Sequence, residues 1–115
     1  MQADPVRIRQ LIHNLVKNAS EAVDGRGWIS LKTVCIEEHG CYYTELTVED
    51  SGAGIKEEVM GTLFEPYVTA KKTGSGLGLA IVKKIVDEHN GLVWAENNEA
   101  GGARFVLRLP VMKDD

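Results

Sequence analysis

The chain has 115 residues, a formal net charge of -4, 43% hydrophobic and 26% charged residues. That is enough for one domain burying about two thirds of its unfolded surface, and it is too apolar for a disordered segment. The acid excess excludes a binder driven by the nucleic-acid backbone, which needs clustered Lys and Arg.

No window reaches the apolar length of a membrane span, and Met1-Gln2-Ala3-Asp4 lacks the parts of a signal peptide, so a soluble chain is expected. Asp4-Pro5 opens a helix, with a capping carboxylate followed by proline where a missing N–H does no harm. Ile8, Leu11, Ile12, Leu15, Ala19, Ala22 and Val23 then recur at spacings of three and four as one apolar stripe, and Asp24-Gly25 is the stop. At about 100° per residue, Asn14 and Asn18 share one edge of that stripe, near Arg7 and Glu21.

Trp28 to Ile36 alternates as a strand, and Tyr42 to Asp50 is its hairpin partner across Glu37-Glu38-His39-Gly40. Cys35 and Cys41 flank that turn, where a cross-strand disulfide is conceivable, but two cysteines without secretory context read as reduced. No His or Cys cluster has zinc-ligand spacing. Leu46, Val48 and Asp50 share a face by the strand's period of two, so Asp50 is an inward carboxylate that needs a donor from protein or ligand.

Lys56 to Phe64 can form a short helix, and Pro66 with Val68 to Gly76 reads as loop. Leu77 to His89 is a second strong helix, with Leu77, Ala80, Ile81, Ile85 and Val86 inward and Asn90-Gly91 as its stop. Leu92 to Glu96 and Ala103 to Leu109 close a hairpin, with Phe105, Leu107 and Leu109 on one face. Antiparallel hairpins with helices on one face describe an α+β two-layer sandwich.

The run Gly74-Ser75-Gly76-Leu77-Gly78 invites the familiar phosphate loops. A dinucleotide fingerprint fails, because no parallel strand precedes the run and its third glycine position falls on Leu79. The Walker tripeptide and the protein-kinase catalytic loop are absent too. What remains is a glycine loop running into a helix N-terminus, where free N–H groups favour phosphate. Taken singly, this run also reads as an ordinary loop, Asp50-Ser51-Gly52-Ala53-Gly54 as a common acidic turn, and Asn14 and Asn18 as helix-surface polar residues.

Together, Asn14-x-x-x-Asn18-Ala19, Asp50-x-Gly52-x-Gly54, Phe64-x-Pro66-Tyr67 and Gly74-x-Gly76-Leu77-Gly78-Leu79 resemble the N, first glycine, F and second glycine boxes of the bacterial sensor histidine kinases. Those boxes mark the catalytic, ATP-binding domain of the gyrase/Hsp90/MutL (GHKL) superfamily. The resemblance runs from Asp4 to Pro110 and implies the GHKL (Bergerat) fold, a mixed, mostly antiparallel sheet covered on one face by helices. The short Thr69-x-Lys71 loop resembles the nitrogen-regulation (NtrB/NtrY-like) branch. Tyr67 stands where the family often has Phe.

The resemblance implies roles. Asp50 accepts from the adenine amino group, and Gly52 and Gly54, with Ile55 beside them, let backbone approach the base. Asn18 ligates Mg2+ through its amide oxygen, and Asn14 orients phosphate or metal-bound water. Lys71 and Lys72, in a segment the family uses as a mobile lid, meet the triphosphate, with Lys17 a further phosphate candidate or a solvated lysine. Gly74, Ser75, Gly76, Leu77, Gly78 and Leu79 supply backbone donors and hinges. Phe64 and Pro66 anchor the lid, and Phe64 and Tyr67 border the nucleotide. Gly101-Gly102 resembles the family's late glycine motif, or is a simple hairpin turn.

Related ATPases that hydrolyse ATP carry a glutamate at the position of Asn14. An amide cannot accept a proton near neutral pH, so slow hydrolysis is expected. Sensor kinases instead pass the phosphoryl group to a histidine on a separate helical domain. His13, His39 and His89 lack the pattern of such an acceptor and read as surface histidines. Residues 1–115 are thus expected to be one catalytic module, monomeric in isolation and dimeric in the full-length protein. It would be cytoplasmic, on its own or as the cytoplasmic portion of a membrane-bound sensor, with no membrane or nucleic-acid contact of its own, and would serve a response regulator through the dimerisation domain. The alternatives are a serine-directed relative such as an anti-sigma-factor kinase, and a protein-interaction module without catalysis.

Overall fold

A computed structural model describes residues 4–65 and 78–111. Helix α1 spans Pro5–Val23. The Asp4 carboxylate caps it by accepting from the Val6 and Arg7 amides at 3.0 and 3.3 Å. Asp24 turns left-handed at φ 48° and Gly25 follows at φ 76°, which ends the helix at the expected stop.

Strands β1 (Ile29–Glu38) and β2 (Cys41–Asp50) form the first hairpin. They run closer to the turn than the alternation predicts. His39 and Gly40 alone make the turn at φ 53° and 80°, the twist a two-residue hairpin needs. Trp28 stays outside β1, its N–H donated to Ser51 Oγ at 2.8 Å. Cys35 lies opposite Thr44 and Cys41 opposite Glu38, so the two thiols point to opposite faces, and both are free and exposed.

The expected helix to Phe64 is a single turn, α2 (Glu57–Met60). No side chain caps its start and Gly61, a poor helix former, follows. The chain continues through turns closed by Thr62 N–H to Val59 O and Glu65 N–H to Thr62 O, at 3.1 and 3.0 Å.

Helix α3 (Gly78–Glu88) stops as its sequence predicts. Gly91 N–H donates to Val86 O at 2.9 Å and Asn90 N–H to Asp87 O at 3.1 Å, with Asn90 left-handed at φ 59°, the Schellman pattern. Strands β3 (Leu92–Asn97) and β4 (Ala103–Val111) form the second hairpin.

The sheet order is β1-β2-β4-β3, antiparallel at each pairing, and β2 and β4 join the hairpins in the middle. One face is covered. Leu11, Leu15 and Ala19 of α1 and Val82, Ile85 and Val86 of α3 pack on Leu46, Val48, Ala103, Phe105, Leu107 and Leu109. Val82, not predicted to point inward, is fully buried, while Ala80 and Ile81 are half-buried at the flank, because the inward stripe of α3 runs through 82, 85, 86 and 89. Leu77 lies outside the described residues.

His89 ends that stripe and is buried, contrary to its reading as a surface histidine. Its Nδ1 lies 2.8 Å from Ile85 O, and its Nε2 accepts from the Asp4 N–H at 3.3 Å. The opposite sheet face is charged. Arg108 lies 5.7 Å over Trp94 and donates to Glu45 at 2.8 Å, a bond that raises the guanidinium above its ordinary value.

Candidate functional site

The sheet order brings the end of β2 against the start of β4, beside the C-terminal part of α1. Asp50, the last residue of β2, faces inward and is 1% exposed. A carboxylate so placed must find donors. Its Oδ1 accepts from the Gly52 N–H at 2.9 Å and the Ala103 N–H at 3.3 Å. Among the described residues no group donates to Oδ2. These two bonds fix one oxygen of the carboxylate.

The glycines lie where backbones touch. A Cβ on Gly52 would meet Ala22 O at 2.5 Å, and one on Gly54, at φ +81°, would meet Gly101 O at 2.5 Å. On Gly102 it would lie 1.9 Å from Asp50 O. Gly102 is therefore more than a hairpin turn residue. It lets β4 start directly against the acid.

Two residues that the sequence motifs do not include hold this turn. Asn97 Oδ1 accepts from the Ile55 N–H at 2.7 Å, and its Nδ2 donates to Ile55 O at 3.0 Å. Asn98 Nδ2 donates to Asp50 O at 3.1 Å, and its Oδ1 accepts from the Gly102 N–H at 2.9 Å. The only sequence signal for them is an asparagine pair opening a glycine-containing loop, which also marks ordinary turns.

Asn14 and Asn18 are both half-buried on the edge of α1 that turns toward α3, where Arg7 reaches Glu88. Asn14 Nδ2 is shut off from solvent without a hydrogen-bond partner among the described residues. A buried orphan donor of this kind costs about 1–3 kcal/mol. Lys17, His13 and His39 are exposed.

Phe64 packs edge-on against Phe105, ring centroids 6.2 Å apart at 84°, which fastens Phe64 to the core. Ile55 and Leu79 also lean on the core, and Gly78 opens α3. Pro66, Tyr67, Lys71, Lys72, Gly74, Ser75, Gly76 and Leu77 lie outside the described residues, and the expectation of a mobile lid lies there with them. Among the described residues, no three His, Cys, Asp or Glu side chains could hold a metal ion, and no helix is long and apolar enough to cross a membrane.

Comparison with known proteins agrees with this arrangement. The family model of histidine kinase-, DNA gyrase B- and HSP90-like ATPases matches residues 3–113. Sensor histidine kinase ZraS of Salmonella typhimurium is 40% identical over 112 residues, which are 97% of this chain and 23% of that protein. An NtrY-like sensor histidine kinase of Rickettsia bellii is 40% identical over 107 residues, 92% of this chain and 17% of that protein. This chain therefore spans less than a quarter of these curated relatives. The solved catalytic domain of histidine kinase ThkA, nucleotide-free, is 39% identical, with 94% of this chain and 68% of that chain covered at a TM-score of 0.82. The chain belongs to the histidine kinase-, DNA gyrase B- and HSP90-like ATPases, among the catalytic domains of histidine kinases.

Proposed function

We propose that residues 1–115 are the ATP-binding catalytic module of a sensor kinase, which binds Mg-ATP and passes the γ-phosphoryl group to a histidine on a separate dimerisation domain. The observation that carries this is the buried Asp50, whose Oδ1 is held by two backbone amides; its Oδ2 would accept from the amino group of adenine. Gly52, Gly54 and Ile55 form the turn beside it.

The amide edge of α1 fits the phosphate end. Asn14 offers a buried donor that a phosphate oxygen or metal-bound water would satisfy. Asn18 offers an amide oxygen, which suits Mg2+ held mainly by phosphates and water. The cation, when bound, offsets charge on the transferring group. Lys71 and Lys72 add point charges, and Gly74 to Leu79 add backbone donors. Lys17, exposed on α1, serves at most as a peripheral charge.

Asn14 cannot take a proton from water, so this chain has no base there and favours transfer over hydrolysis. The acceptor comes from elsewhere. His89 uses both ring nitrogens in hydrogen bonds, and His13 and His39 are isolated on the surface. The reading implies a dimerisation domain, a response regulator served through it, and a cytoplasmic setting, with the module monomeric when alone.

The test is calorimetric titration of the chain with Mg-ATP, followed by mixing with the dimerisation domain of its own protein and γ-labelled ATP. Acid-labile label on histidine of the supplied domain is expected. Label on serine would move the assignment to the anti-sigma-type kinases, and no ATP binding would overturn it.

A further inference from the structure

We infer that Asn97 is a positioning residue for base recognition: its carboxamide clasps the backbone of Ile55 and holds the 51–55 turn against the β3–β4 loop, so that Asp50 presents Oδ2 at a fixed place. The inference rests on the adenine reading of Asp50 given above.

The turn begins where β2 ends at Asp50; Ser51 N–H still donates to Trp28 O at 3.1 Å, and past Ser51 no strand pairing continues. Asn97 ends β3, an edge strand paired with β4 alone. From there it supplies an acceptor at 2.7 Å to Ile55 N–H and a donor at 3.0 Å to Ile55 O. This copies the paired bonds of a strand neighbour with one side chain, because a carboxamide carries a donor and an acceptor side by side as a backbone amide does.

The fit around the clasp is close. A Cβ on Gly54 would stand 2.9 Å from Asn97 Oδ1 as well as 2.5 Å from Gly101 O. The next residue works on the other end of the turn, since Asn98 holds Asp50 O and Gly102 N–H. The two asparagines thus fix the first and last backbone groups of the segment that carries the acid. Asn97 itself is exposed and lies outside the hydrophobic core. Its bonds hold the turn more than they hold the fold.

The test compares the chain with Asn97→Ala and Asn97→Asp by calorimetry with Mg-ATP and Mg-GTP, by melting temperature, and by hydrogen exchange of the Ile55 amide. Guanine carries a carbonyl acceptor where adenine carries the amino donor, so the ATP-to-GTP affinity ratio reports how well Asp50 is aimed. Asn97→Ala is expected to lower that ratio roughly tenfold, the equivalent of two modest hydrogen bonds, with faster Ile55 exchange and a melting temperature lowered by no more than about 5 °C. Asn97→Asp keeps the acceptor and loses the donor, and should fall between. An unchanged ratio in Asn97→Ala would overturn the inference while leaving the adenine reading intact. Absence of ATP preference in the unmutated chain would overturn that reading and the inference with it.

Discussion

The backbone of Gly102 lies against Asp50 so closely that a Cβ at Gly102 would be 1.9 Å from the Asp50 carbonyl oxygen and 3.0 Å from its Oδ1. The obstacle is backbone, which cannot swing aside. Gly102→Ala should therefore push the start of β4 off the acid, lengthen the Ala103-to-Asp50 bond and destabilise the chain by about 1–3 kcal/mol, as overpacking does. ATP affinity should fall with it. Gly61→Ala is the control: its φ is -74° and an added Cβ meets nothing within 4 Å. It should raise stability by up to about 1 kcal/mol. Denaturant melts of the two variants are expected to shift in opposite directions.

Asp50→Asn separates fold from ligand. The retained amide oxygen can still accept from Gly52 and Ala103, at the loss of charge assistance worth about 1 kcal/mol. At the Oδ2 position, however, a donor replaces an acceptor and, on the proposed reading, would face the amino group of adenine. ATP affinity is expected to drop by about two orders of magnitude or more with a folded far-UV spectrum. Calorimetry showing undiminished ATP binding would remove Asp50 from base recognition.

Asn14 holds a buried amide donor that lacks a described partner. An apolar side chain of similar size removes that burden. Asn14→Leu should leave the ligand-free chain as stable or about 1 kcal/mol more stable, while phosphoryl transfer to the dimerisation domain falls at least about a hundredfold. A stability gain with undiminished transfer would show the amide to be incidental.

His89 joins the first residue of the α1 cap to the last turn of α3. Truncation removes both bonds and opens a cavity, so His89→Ala should destabilise by about 2–4 kcal/mol in urea melts. His89→Gln, which keeps a donor and an acceptor, should recover part of the loss. Equal losses in the two variants would mean that packing alone accounts for its burial.

Much of this was legible in the chain because its signals are local. Asp4-Pro5 and Asn90-Gly91 set helix ends through bonds a few residues long, and the two-residue period alone turned Asp50 inward with Leu46 and Val48. The unread parts depend on partners far along the chain. Ile55 lies 42 residues from Asn97, Asp50 lies 48 from Asn98, and Asp4 lies 85 from His89. No spacing rule links such positions until β2 and β4 are known to pair. The hairpin turn came out two residues shorter than read, because Glu37 and Glu38 pair within β1 and His39 joins Gly40 at positive φ.

The order β1-β2-β4-β3 has a further consequence. The acid ends one hairpin, while Ala103 and Asn98, which bond it, and Gly102, which lies against its carbonyl oxygen, come from the other. Neither hairpin carries a competent pocket by itself. A chain with the central seam unzipped would keep much of its local structure and yet have no affinity for nucleotide, so ATP at cellular levels would act as a thermodynamic latch on the seam. On the proposed reading, a module in that state would be unable to hold ATP for transfer.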